Sequence, residues 1–275
     1  MKSNLNNLST CTPVKTKLKT PISYYGGKQS MLKHILPLIP KHRIYVEPFF
    51  GGGAVFWAKE QSEVEIINDL NGNVVNFYQE LKTNFIELKD LILSTPYSRE
   101  VYKNAMVIYE IPYIFKPVHR AWAFWVGTIQ GFSNKIGSWR SATTRSKEST
   151  LNYNKKEGFN VELSKRLELT QIECKDAIEL ILKQDSEETF FYIDPPYVGA
   201  NQGHYGGYTQ EHFASLLSVL SSIKGKFLLS SYPNSLLDEY RLRFNWFNND
   251  KNMVLSASRD SNKRKTEALT SNYPI

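Results

Sequence analysis

The sequence predicts an α/β protein: an open, mainly parallel sheet carrying one inserted, mainly helical lobe. Three observations carry that expectation. Two short strand patterns, Arg43-Ile44-Tyr45-Val46-Glu47 and Val64-Glu65-Ile66-Ile67-Asn68, flank a glycine turn and a helical start, the signature of a β–α–β unit. A third apolar run, Phe190-Phe191-Tyr192-Ile193, suits a strand buried on both faces; it ends at Asp194, and the two prolines that follow cannot continue a ladder. Residues 96–165 change in character, with ten aromatic residues between Tyr97 and Trp139. A chain of 275 residues has length for a full α/β core plus such a lobe.

Composition narrows the class. With 41% hydrophobic and 22% charged residues the chain is globular, and no apolar run approaches the ~18 residues of a membrane span. A formal charge of +7 favours a polyanionic partner, although mild basicity is common without one. Cys11 and Cys174 are too few for a disulfide framework, and His34, His42, His119, His204 and His212 show no ligand spacing, so no metal is expected. Residues 1–20 mix Asn, Ser, Thr and Lys without a signal-length apolar core; a disordered tail and a cytoplasmic location are expected.

Along the chain, Tyr24-Tyr25-Gly26-Gly27-Lys28 precedes a helical pattern through Met31, Leu32, Ile35, Leu36 and Ile39. Its glycines allow close backbone approach to a ligand, and Lys28 could meet an anionic group; a plain helix-starting turn looks the same. The spacing of a phosphate loop is missing. The first strand then ends at Glu47 and runs into Pro48-Phe49-Phe50-Gly51-Gly52-Gly53, a turn feeding a helix near Ala54. Strand, glycine turn and helix make a nucleotide-type site, and Asp69, eighteen residues past Gly51 at the second strand's end, could accept bonds from ribose hydroxyls. Val55 and Phe56 break the dinucleotide pattern, so the adenosyl ligand favoured is S-adenosylmethionine; a purely structural β–α–β corner is the alternative.

Residues 71–81 and 85–93 read as helices, and a lobe helix is expected over residues 118–129, with Trp122, Phe124 and Trp125 mainly in a core. From 133 to 166, Lys135, Arg140, Arg145, Lys147, Lys155, Lys156, Lys165 and Arg166 face only Glu148, Glu157 and Glu162 among Ser, Thr and Asn. That mixture suits phosphate contacts and base-edge hydrogen bonds, against the alternative of a solvated loop. The sheet resumes at Thr170-Gln171-Ile172-Glu173-Cys174, and Asp176 either caps the next helix or meets the cofactor.

At the third apolar strand, Asp194-Pro195-Pro196-Tyr197 gathers a carboxylate, carbonyls of a rigid turn and an aromatic ring where α/β sheets place their chemistry. Asp194 and a main-chain carbonyl can accept both hydrogens of an exocyclic amine, while Tyr197 stacks on its ring. An ordinary turn is the bland alternative. Glycines within residues 198–208 suit a lid or an idle loop. A helix over 210–223, a strand at Lys226-Phe227-Leu228-Leu229-Ser230 and a closing pair at 253–255 and 267–270 complete a mixed sheet, with a second basic loop at 259–265 that includes Lys263 and Arg264.

Tyr24-Tyr25-Gly26-Gly27-Lys28, Val46-Glu47-Pro48-Phe49-Phe50-Gly51-Gly52-Gly53-Ala54-Val55, Asn68-Asp69-Leu70-Asn71 and Asp194-Pro195-Pro196-Tyr197, in this order, resemble the motifs of the Dam-like (D12 class) DNA adenine-N6 methyltransferases. Lys265-Thr266-Glu267-Ala268-Leu269-Thr270-Ser271-Asn272-Tyr273 resembles their last motif. The resemblance implies a Rossmann-like S-adenosylmethionine-dependent methyltransferase sheet formed by residues 21–95 and 166–275, with residues 96–165 as the target-recognition lobe. It implies that Tyr24, Tyr25, Gly26, Gly27, Lys28, Glu47, Pro48, Phe49, Gly51, Gly53, Asp69, Asp176 and Asp194 surround S-adenosylmethionine. Asp194, Pro195, Pro196 and Tyr197 would hold the target adenine. Double-stranded DNA would meet Asn134, Lys135, Arg140, Arg145, Lys155, Lys156, Lys263 and Arg264, and a restriction endonuclease is a possible partner. The run Gly131-Phe132-Ser133-Asn134-Lys135-Ile136-Gly137-Ser138-Trp139-Arg140 matches the family only in part, which leaves the recognised sequence open. An RNA adenine methyltransferase and a non-catalytic DNA-binding protein of the same fold are the rival readings.

Overall fold

The computed structural model describes residues 18–141, 147–198, 207–254 and 264–275. Most of the expected tail, Arg145, Gly199, Gly203, Gly206 and the basic-loop residues 259–263, Lys263 among them, lie outside the described residues.

The sheet contains β1 (Ile44–Glu47), β2 (Val64–Asn68), β3 (Thr170–Glu173), β4 (Thr189–Ile193), β5 (Lys226–Ser231), β6 (Phe247–Asn248), β7 (Lys251–Val254) and β8 (Arg264–Ser271). Their order is β3-β2-β1-β4-β5-β8-β6, with β7 also paired to β8. The first five strands are mutually parallel, and β8 runs antiparallel to β5, β6 and β7. The chain builds outward from β1 to β3, then returns to lay β4 on the other side of β1. Loops leaving β1 and β4 therefore diverge and open a crevice beyond the strand ends. The position of Glu47 and Asp194 follows from this reversal.

β4 is buried along its whole length, as its unbroken apolar run requires. Phe190 and Tyr192 enter one core, Phe191 and Ile193 the other. On the second face, Leu180, Ile181, Phe213, Leu216, Leu217 and Leu237 come from the helices Ala177–Gln184, Gln210–Leu220 and Ser235–Phe244. On the first, helix Gly72–Thr83 packs against Pro117–Gln130, which in turn packs on Arg99–Glu110. One apolar cluster runs from Tyr45 and Trp57 through Phe77 to Tyr102, Phe124, Trp125 and Leu163. Helices within residues 96–165 thus share the sheet's core, and Phe124 and Trp125 lie inside it.

Local structure corrects one expectation and adds three helices. The helix expected through Ile39 is instead three short pieces, Gln29–Met31, Leu32–Ile35 and Leu36–Leu38, and Pro37, with no N–H, ends the α-helical one. The basic stretch read for DNA contact contains two ordered helices, Glu148–Glu157 and Val161–Leu167. Helix Ser235–Phe244 escaped a reading based on apolar period, since only Leu237 in it is buried. A buried charge cluster ties helix Val161–Leu167 to the sheet: Glu65 on β2 accepts from Lys59 at 2.5 Å and from both terminal nitrogens of Arg166, whose guanidinium lies 3.8 Å from the Phe56 ring centre. Among the described residues no helix is long and apolar enough to cross a membrane.

Candidate active site

Beyond β1, the turn that sequence reasoning placed under a ligand is built on left-handed backbone. Gly51 and Gly53 have φ of +47° and +62°. A Cβ on Gly53 would lie 2.3 Å from the Phe50 ring, so no larger residue fits there. Tyr24 covers the turn: a Cβ on Gly51 would come within 2.8 Å of its ring. Asp69 is buried, with Oδ2 accepting the Gly51 N–H and Oδ1 the Asn71 N–H, each at 2.8 Å. It therefore pins the glycine turn to the end of β2. Asn68 does similar work, donating to the Pro48 carbonyl at 2.9 Å and bonding both the N–H and the carbonyl of Lys175.

Beyond β4, Asp194 is met by Lys28, whose Nζ is 2.8 Å from Oδ1 and 3.1 Å from the Gly26 carbonyl. The Tyr197 hydroxyl lies 3.1 Å from the same Oδ1. Its single proton is shared with Glu267 Oε1, the nearer acceptor; the hydroxyl also lies 3.2 Å from Ser230 Oγ, and Ser230 donates to Glu267. Its ring meets Tyr232 edge to face at 4.4 Å, and Lys28 Nζ sits 4.8 Å from its centre. The hydroxyl is therefore turned inward, onto the acids. Glu267 and Ser230 are the functional candidates that sequence reasoning did not single out. The closing motif that contains Glu267 was visible, but the pairing of β8 with β5 that brings it here was not.

The electrostatics separate the acids. Burial, reinforced by Glu267, raises the Asp194 pKa to about 6 against the opposing pull of Lys28 and Tyr197, so Asp194 is ionised at neutral pH. Burial raises Glu47 to about 8 even though Tyr45 donates to it at 2.7 Å, so Glu47 is mostly protonated there. Burial pulls Lys28 down, but Asp194 and Glu267 outweigh it and leave its pKa raised. Two carboxylates therefore surround one ammonium. Such a pocket favours a further positive charge, which a sulfonium cofactor carries.

The remaining sequence-derived candidates are spread out. Tyr25 joins the site to the lobe, with Lys135 Nζ 4.1 Å from its ring centre. Phe49 packs edge to face on Tyr208 at 6.4 Å. Asp176 acts as a helix cap, its Oδ1 accepting the N–H groups of Ile178 and Glu179. Lys155 departs from the phosphate-contact expectation. Its Nζ donates to the carbonyls of Thr20 at 2.7 Å and Ile22 at 3.1 Å, and burial lowers its pKa to about 8. With the Trp125 indole donating to the Pro21 carbonyl at 3.2 Å, it anchors the segment leading into Tyr24. Lys156 donates to Leu93 O at 2.9 Å, and Arg140 pairs with Glu148 at 3.0 Å. Asn134 and Arg264 lie in described backbone, at 132–134 and in β8. No group of three or more His, Cys, Asp or Glu residues placed to hold a metal occurs among the described residues.

Comparison with known proteins bears on this geometry. The chain is 25% identical to the Type II methyltransferase M1.LlaDCHI of Lactococcus lactis subsp. cremoris over 94% of its own length and 97% of that protein's. It is 25% identical to a DNA adenine methylase of Vibrio cholerae, covering 74% of this chain and 76% of the relative. The Type II methyltransferase M.MjaIII of Methanocaldococcus jannaschii is 28% identical over 72% of this chain and 75% of its own. The profile of the D12 class N6 adenine-specific DNA methyltransferases matches residues 24–255. With that span covering the glycine turn, Asp69 and the Asp194 turn together, the chain belongs to the D12 class of N6 adenine-specific DNA methyltransferases.

Proposed function

We propose that the enzyme methylates N6 of an adenine turned out of double-stranded DNA at a specific sequence, with Asp194 as the catalytic acceptor and S-adenosylmethionine as donor. The observation that carries this reading is an ionised, largely buried Asp194 at the tip of β4, across the switch point from the Tyr24-covered Gly51–Gly53 turn.

S-adenosylmethionine, when bound, supplies an electrophilic methyl group on a positively charged sulfur. Tyr24, the glycine turn pinned by Asp69, and neutral Glu47 form the wall for its adenosyl side. Asp194 and a carbonyl of the Pro195-Pro196 turn accept the two N6 hydrogens, which lets the nitrogen become tetrahedral and direct its lone pair outward. Positive charge then grows on that nitrogen, and the carboxylate, already in place, stabilises it. The new ammonium is acidic enough to release its proton to water afterwards, so no strong base is assigned. Turning the base out costs a few kcal/mol. Stacking on Tyr197 and phosphate contacts from the lobe at residues 96–165 offset it, with Lys135 best placed because its contact with Tyr25 lies next to the site. The type II names of relatives support a restriction endonuclease partner, and a genomic substrate supports a cytoplasmic location.

Sequencing with modified-base detection on DNA from cells expressing the chain tests the reading. N6-methyladenine at one sequence motif is expected, and its absence relative to an Asp194→Ala control would refute it.

A further inference from the structure

The resting site contains a conflict. Oδ1 of Asp194 is already met by Lys28 at 2.8 Å, with the Tyr197 hydroxyl 3.1 Å away. A target amine that binds at this oxygen takes the place of Lys28, which is buried, and a buried ammonium without a counter-ion is strongly disfavoured. A second carboxylate stands ready: Glu267 Oε1 is 3.7 Å from Lys28 Nζ, and a shift of about 1 Å would restore the separation now held to Asp194. That carboxylate is fixed by two hydroxyl donors, Tyr197 and Ser230, and its side chain is only 10% exposed.

We propose that Glu267 is a positioning residue for methyl transfer: it holds the Tyr197 hydroxyl and receives the Lys28 ammonium when the target amine takes its place on Asp194. Lys28 thus exchanges between two carboxylates, and the site keeps its charge balance as the substrate enters. This proposal rests on the methyl-transfer reading above.

The test is single-turnover transfer of labelled methyl groups to duplex DNA by the full chain, comparing the native protein, Glu267→Gln and Glu267→Asp across pH. Asp194 is faced by Lys28, Glu267, Tyr197, Tyr192 and Glu47, and of these only Glu267 changes. Glu267→Gln should slow the plateau rate by about 10–100-fold, because Lys28 stays on Asp194, while KM for S-adenosylmethionine moves little. Its acidic limb should move to lower pH, since Glu267 no longer opposes ionisation of Asp194. Glu267→Asp should leave that limb in place and recover part of the rate. Native rates in Glu267→Gln with an unmoved limb would overturn the proposal. So would equal rate losses in both variants accompanied by loss of the thermal stabilisation that S-adenosylmethionine confers, the mark of a purely structural residue. Failure of the native chain to transfer methyl groups would instead overturn the underlying reading.

Discussion

Replacing Asp194 by Asn tests the central chemistry with little change in shape. The amide keeps the side chain's volume but removes the charge that faces the developing ammonium. Removing one preorganised electrostatic partner costs about 2.7–4 kcal/mol of transition-state stabilisation, or about 10²–10³ in rate. Stability should move the other way or not at all. The Asp194 pKa is raised from 3.8 to about 6, so its ionised form opposes folding; the native protein loses stability as pH rises through that window, by at most about 3 kcal/mol. Asn removes that cost, and Glu267 at 3.7 Å remains as a counter-ion for Lys28. Single-turnover methyl transfer, thermal unfolding and DNA binding should be measured together. The native rate should rise with pH through about 6, and the variant should be slow and flat across that range. An Asn variant within threefold of the native rate, or one that keeps the limb, would refute the assignment.

Tyr197→Phe deletes a hydroxyl that reaches Asp194, Ser230 and Glu267, and should slow transfer by about 10–100-fold, the value of a hydrogen bond to a charged group; Tyr197→Ala should be slower still in the same assay. Glu65→Gln leaves Lys59 and Arg166 buried without their carboxylate and should cost about 3–5 kcal/mol in urea unfolding, and a loss below about 1 would show the cluster to be dispensable. Gly53→Ala forces a side chain into φ +62° and against Phe50, and should abolish the thermal shift caused by S-adenosylmethionine; a native shift would remove the turn from the cofactor site. Lys135→Gln should lower the salt dependence of DNA binding by about one phosphate contact, measured as the slope of log affinity against log salt, and an unchanged slope would take Lys135 out of the interface.

Lys155 shows how far local pattern carries. In a run rich in Lys, Ser and Asn it reads as one more phosphate-facing cation. The fold turns its amine onto the carbonyls of Thr20 and Ile22, a partner segment more than a hundred residues upstream, and nothing in its own neighbourhood encodes that. Helix Pro117–Gln130 is the opposite case: its aromatic residues Trp122, Phe124 and Trp125 read as core, and Phe124 and Trp125 are fully buried. The parallel strands were legible with their ends, because an apolar run halted by an acid and prolines leaves few alternatives. Asp69 lay between these cases. Its place at the end of β2 was readable, whereas its grip on the Gly51 N–H was not.

Strand ends, glycine turns and the proline pair depend on neighbours a few residues away, so the order of residues alone was enough to locate Glu47, Asp69 and Asp194 at the sheet's carboxyl edge. The meeting of Lys28, Asp194, Tyr197, Ser230 and Glu267 depends on β8 entering antiparallel beside β5 and on the amino-terminal turn folding over both. Charges separated so far along the chain attract one another across a few ångströms of low-dielectric interior, and that distance exists only once the strands have found their partners.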